Sequence, residues 1–153
     1  MNLSQLFPIL MVTLAGGAVA TQPAFNSQLA ALLGSPLRAA LVSFTAGATV
    51  LFAIVGALVI RTGLPSAETV SRVPPHLWIA GGVLGALFVS TAAWATPKIG
   101  AGAFFATLIA AQLTLSLVLD HYGLLGLEVR PANWIRIAGV ALLFAGGLMV
   151  VRG

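Results

Sequence analysis

Three amides stand where apolar neighbours leave few uses for them. Gln22 and Asn26 interrupt a run from about Leu6 to Leu33, and Gln112 lies near the middle of another. An amide both donates and accepts hydrogen bonds, so it can hold a polar molecule without carrying charge. Moved from water into hydrocarbon with no partner, it loses roughly 4–8 kcal/mol. Gln22 and Asn26 are four residues apart, which on a helix puts them on one face. Pro23 between them removes a backbone donor and tends to kink the helix, freeing carbonyls around Val19. Gln28 falls on a different face. Thr107 and Ser116 flank Gln112 at about one turn. Ser90 and Trp94 form another pair four apart, with Thr91 beside them, and Ser43 and Thr45 lie near the start of a further run. These residues suit a polar-lined, tryptophan-walled cavity, with Gln22, Asn26, Ser90, Trp94 and Gln112 as candidate substrate-binding groups. The competing use is structural. Polar side chains also join helices inside membranes, at about 0.6 kcal/mol each, and Ser and Thr bond back to their own helix.

The acids are Glu68, Asp120 and Glu128, and none lies at the centre of an apolar run. Asp120 sits at the end of one, beside His121 and Tyr122. It is the candidate for proton or ion coupling, which needs a titratable group on the pathway; the alternative is an interfacial cap or an arginine partner. The chain has no cysteine, and His76 and His121 lie far apart, so no metal-ligand spacing exists. No phosphate-binding glycine loop and no nucleophile elbow occur. No cofactor, metal or catalytic activity is expected. Basic residues occur singly rather than in a cluster, which argues against nucleic acid.

The elements that carry these groups follow from composition. Of 153 residues, 59% are hydrophobic and 7% charged, against about a quarter charged in a soluble domain. That is too little polar surface for a water-soluble globule. The lipid bilayer is the expected environment. A spanning helix needs about 20 mostly apolar residues, and five runs qualify: about Leu6–Leu33 (interrupted near Pro23), Ala39–Ile60, Leu77–Ala95, Ala101–Leu119 and Trp134–Val151. The fold class is therefore all-α, a polytopic membrane protein with one transmembrane domain over residues 1–153. The connections hold most prolines and charges, and Trp78, Trp94 and Trp134 fall near segment ends, as interfacial aromatics do. The opening MNLSQLFP has no basic side chain, so the first run is expected to be retained rather than cleaved as a signal peptide.

Five spans put the termini on opposite sides. Arg61, Arg72, Arg130 and Arg136 then fall on the N-terminal side, and Arg38, Lys98 and Arg152 on the other, four against three. The positive-inside rule works through an excess of basic residues, and a difference of one gives almost none. Either orientation is set weakly or by a partner, or the chain inserts both ways and pairs with an inverted copy, an architecture common among transporters. The Gly81–Gly85 spacing, Gly139 and Gly146-Gly147 allow close helix approach, within one bundle or between two copies. A carrier, a passive channel and a non-transporting scaffold are all compatible with these residues.

Several stretches are familiar together. QPAFNSQLA, SFTAG (Ser43–Gly47), GGVLGALFV, TPKIGAGAFFATLIAAQL and LDHYGLLG (Leu119–Gly126) resemble the YdcZ family of small bacterial inner-membrane proteins. That family is placed in the drug/metabolite transporter superfamily, alongside the small multidrug resistance proteins. Its Gln-x-x-x-Asn motif is met by Gln22 and Asn26, and its glutamine before an LD-aromatic-Gly block by Gln112 and Asp120. The resemblance implies an inner-membrane location, a transport function and an antiparallel homodimer, since members occur singly, as oppositely oriented pairs and as fused inverted duplicates. Small multidrug resistance proteins carry a glutamate in their first helix; here that segment has no acid. A small neutral or zwitterionic polar metabolite is therefore the expected substrate, rather than a cation exchanged for protons at that glutamate.

Overall fold

A computed structural model describes residues 3–152, with side chains from Leu6 onward. Of MNLSQLFP, Met1 and Asn2 lie outside the described residues, and only the backbone path of Leu3, Ser4 and Gln5 is given. The order is α1 (Leu3–Leu33), α2 (Pro36–Thr62), a one-turn α3 (Ala67–Ser71), a 3₁₀ turn (Pro75–Trp78), α4 (Ala80–Ile99), α5 (Ala101–Tyr122), a second 3₁₀ turn (Leu124–Gly126) and α6 (Trp134–Arg152). Five of these segments are long and apolar enough to cross a membrane. They agree with the expected spans, lengthened by a few residues at most ends. Two boundaries differ for physical reasons. α1 runs unbroken through Pro23 rather than being interrupted there, as membrane helices allow where neighbours satisfy the freed backbone. α4 continues beyond Ala95 to Ile99 and takes in Pro97. The long connection after α2 also gains structure: Ser66 caps α3, accepting from the Thr69 N–H at 3.1 Å, and Glu68 pairs with Arg72 one turn on.

The chain divides into two compact units, one ending at Pro97 and one beginning at Lys98. In the first, the α1–α2 connection is only Gly34 and Ser35. The Ser35 N–H reaches back to Ala30 O at 3.0 Å, and Ser35 caps α2 with Pro36 in its first turn. Arg38 donates to Leu33 O at 2.9 Å, satisfying a carbonyl that the end of α1 leaves open. So short a turn makes α1 and α2 antiparallel neighbours. The core is built from Ala30, Ala39 and Ala93, with Leu29 leaning on it. Small residues let backbones approach where lipid supplies no hydrophobic drive. Phe44 packs over Gly85, where a Cβ would lie 3.1 Å from the ring.

In the second unit α5 and α6 pack on each other, Gly147 against Ala106 and Gly102 against Val150. Gly81, Gly82, Gly139 and Gly146 would place a Cβ in open space, so the small-residue stripe is only partly used within each unit. Large apolar side chains lie on the outside of all five long helices, while the buried set is mostly alanine. A chain with its large apolar groups outside is suited to a hydrocarbon solvent.

Candidate functional site

The α1–α2 hairpin explains why two polar residues meet. Asn26 lies 8 residues before Gly34, and Ser43 lies 8 after Ser35. Ala30 and Ala39 stand 4 residues from the same turn. Antiparallel helices joined by a tight turn bring such mirror positions to one depth. Ser43 accordingly donates its hydroxyl to Asn26 Oδ1. Asn26 is only 4% exposed, and Pro23, three residues earlier on α1, is fully buried. The other end of the amide, Nδ2, is buried with no hydrogen-bond partner among the described residues.

One neighbouring polar group answers a proline. Pro97 has no N–H, so the carbonyl of Ala93 loses its helical donor. Ser27 Oγ lies 3.3 Å from Ala93 O and 2.6 Å from Pro23 O. One hydroxyl thus ties α1 to α4 where the α4 ladder is broken. Upstream of Pro23, Thr21 donates to Ala18 O at 2.9 Å. Thr96 Oγ1 is a second buried polar atom without a partner.

Gln22, one turn from Asn26, is not buried with it. Gln22 and Ser43 supply the polar groups of a cleft of about 300 Å³ whose apolar wall includes Phe44, Leu51 and Val89. Ser90 and Trp94 line a separate cleft of about 290 Å³ with Thr91, Ser35 and Pro36. Gln112 is exposed on α5 in the other unit. Of the five candidate substrate residues, Gln22 edges one cleft with Asn26 buried one turn along α1, Ser90 and Trp94 line a second cleft, and Gln112 belongs to the second unit. Ser27 and the role of Ser43 escaped sequence reasoning. The signal for Ser43 was its mirror spacing from the Gly34-Ser35 turn.

Asp120 belongs to a different construction. Its carboxylate pairs with Arg136 of α6, each side chain about a third exposed (28% and 33%). Its carbonyl accepts from the Arg130 N–H at 2.8 Å, and Arg136 also donates to Arg130 O at 2.8 Å. His121 Nδ1 accepts from the Ala132 N–H at 3.0 Å, and Asn133 caps α6 by accepting from the Arg136 N–H at 2.9 Å. The hydrogen bond to Glu128, then its charge, raises the pKa of Arg130. Together these bonds clamp the α5–α6 connection across the ends of both helices. Asp120→Asn should lower stability by about 1 kcal/mol, a partly exposed pair being worth less than a buried one. The exchanged pair Asp120→Arg/Arg136→Asp should recover part of the loss, as read from thermal midpoints in detergent.

The family described as "Putative inner membrane exporter, YdcZ" matches residues 7–149. The chain belongs to the YdcZ family. No curated protein and no solved structure matches it. This YdcZ protein is a multi-pass protein of the inner membrane, and the family description supports a membrane transporter. The match reaches all five spans, so both the amide-bearing hairpin and the Asp120 clamp lie inside the YdcZ region.

Proposed function

We propose that two inverted copies of this YdcZ chain form a secondary transporter of the drug/metabolite superfamily type, carrying a small neutral or zwitterionic polar metabolite through a cavity near the bilayer midplane. The observation that carries this reading is the buried Asn26 amide behind a cleft edged by Gln22 and Ser43. A polar group this costly to bury in hydrocarbon is usually functional or fully paired, and half of this amide is unpaired. Ser90, Trp94 and Gln112 are assigned to further parts of the pathway. The alanine-lined interior and apolar exterior leave room for a second copy to cover a helix face. The near balance of basic residues supports insertion in both orientations. A coupling role for Asp120 requires its Arg136 pair to break during the cycle.

The test is reconstitution with a broad metabolite screen, together with accessibility tags at each terminus. Saturable solute flux with tags labelled from both sides is the expected result. Flux faster than a microsecond-to-millisecond conformational cycle identifies a channel instead. Labelling from one side only removes dual insertion, and absence of any solute flux leaves a scaffold. One added lysine at the N-terminus should bias the two-sided labelling toward one side, because it turns four against three into five against three, whereas one at the C-terminus only evens the count at four against four.

A further inference from the structure

We propose that the Asn26 side-chain N–H group is the donor that recognises an sp² oxygen, a carbonyl or a carboxylate, on the transported solute, and that Ser43 is the positioning residue that aims it. This deepens the transport reading and rests on it.

A serine hydroxyl has one proton, and the Ser43 proton goes to Asn26 Oδ1. With the amide this way round, its oxygen faces the hydroxyl. The acceptor end is used within the chain, and the donor end, Nδ2, is buried with no partner. Two N–H groups therefore remain to be satisfied, and only an acceptor can satisfy them. A quaternary ammonium ion, which has no acceptor, gains nothing from this group. A solute carrying a carbonyl or carboxylate gains a hydrogen bond in a low-dielectric site, where such bonds are electrostatically stronger than in water.

The position of Ser43 connects this donor to a ligand space. Ser43 bonds Asn26 on one side and lines the Gln22 cleft on the other. The residues lining that cleft are uncharged, so a carboxylate would be held by N–H donors alone. Its volume, about 300 Å³, lies at the small end of small-molecule sites, and its wall is mostly apolar. The matching solute is small, with one oxygen acceptor and an apolar remainder. Burial of Nδ2 gives the site a second property. Packing Asn26 inside the unit leaves its donor unmet unless the solute brings an acceptor, so closure of this unit favours the loaded state. A ligand shifts a conformational equilibrium only by its differential affinity for the two states, and this donor supplies such a difference.

The test uses the full chain, labelled with ¹⁵N-asparagine, in lipid nanodiscs. It has three asparagines, Asn2, Asn26 and Asn133; Asn2→Gln and Asn133→Asp assign the Asn26 side-chain signals by elimination without touching the site. Acetate and N-methylacetamide are the acceptor probes, and tetramethylammonium is the acceptor-free control. The expected result is a saturable shift of the Asn26 side-chain signals with one or both acceptors and none with tetramethylammonium. Ser43→Ala should weaken that response about tenfold, the value of one hydrogen bond to a misaimed buried donor, and Ser43→Thr, which keeps the hydroxyl, should restore it. No shift with either acceptor overturns the proposal, as does an equal shift with tetramethylammonium or an unchanged response in Ser43→Ala. Signals that ignore both solutes but move when ester lipids are exchanged for ether lipids overturn it too, because the acceptor is then a lipid carbonyl. The two readings fail separately: acceptor shifts without any solute flux sink transport alone, and flux without shifts sinks the Asn26 donor alone.

Discussion

Asn26→Leu should leave the protein folded and more stable by roughly 1 kcal/mol, yet reduce transport by about tenfold or more. The two effects have opposite signs because the amide is half used. Its Oδ1 accepts from Ser43, while its Nδ2 is buried and unpaired. An unpaired buried donor costs about 1–3 kcal/mol, and a bond between side chains in a membrane returns about 0.6 kcal/mol on average. Leucine has the same branched shape and number of heavy atoms, removes both terms, and frees the Ser43 hydroxyl to bond back to its own helix, as serines commonly do. Sites kept for function are often suboptimal for stability. Thermal midpoints in detergent, set beside solute flux in proteoliposomes, check the pair of outcomes. A lower midpoint with unchanged flux means that the amide is structural glue and removes it from the pathway.

Gly123→Ala should cost about 3 kcal/mol and open the α5–α6 connection. Gly123 ends α5 with φ +61°, and an added Cβ would lie 2.6 Å from Val129 Cγ2 and 3.2 Å from the carbonyl oxygen of Leu127. A left-handed conformation in a non-glycine residue costs on the order of 1–3 kcal/mol, and crowding about as much again. The Val129 methyl has to turn away, and the Leu127 carbonyl oxygen, being backbone, moves only with the turn itself. Gly126 is the control. Its φ is +80°, but a Cβ there meets nothing within 4 Å, so Gly126→Ala should lose only about 1 kcal/mol. Thermal midpoints and protease cleavage between α5 and α6 report both variants. Equal losses at the two positions would show that conformation alone, without the Val129 contact, fixes this turn.

The turn also explains why LDHYGLLG is legible as a motif while its contacts are not. Asp120 reads from sequence as the acid closest to a pathway. In the fold its carboxylate meets Arg136, its carbonyl meets the Arg130 N–H, and His121 holds the Ala132 N–H. The partners lie 10–16 residues away across an irregular connection, and helical periodicity has no reach over such a stretch. Gln22 and Asn26 show the opposite case. Their shared face follows from a spacing of four, and the structure keeps them one turn apart on α1. Even so, one edges a cleft and the other is buried behind it, because burial depends on what lies opposite, here α2 and α4.

What the sequence determined by itself is the solvent and the count. Hydrocarbon demands about 20 apolar residues per span with internally satisfied backbone, a constraint local enough to read along one chain; five helices and a membrane location follow. It also fixed which groups are expensive to bury, since that cost belongs to the side chain. Tertiary structure alone decided which of those groups have partners. Ser43 takes one end of Asn26 and leaves the other, and Ser27 reaches the carbonyl that Pro97 strips of its donor. Hydrogen bonds act over about 3 Å, so pairing depends on helix depth and rotation, which the Gly34-Ser35 turn and the alanine contacts set.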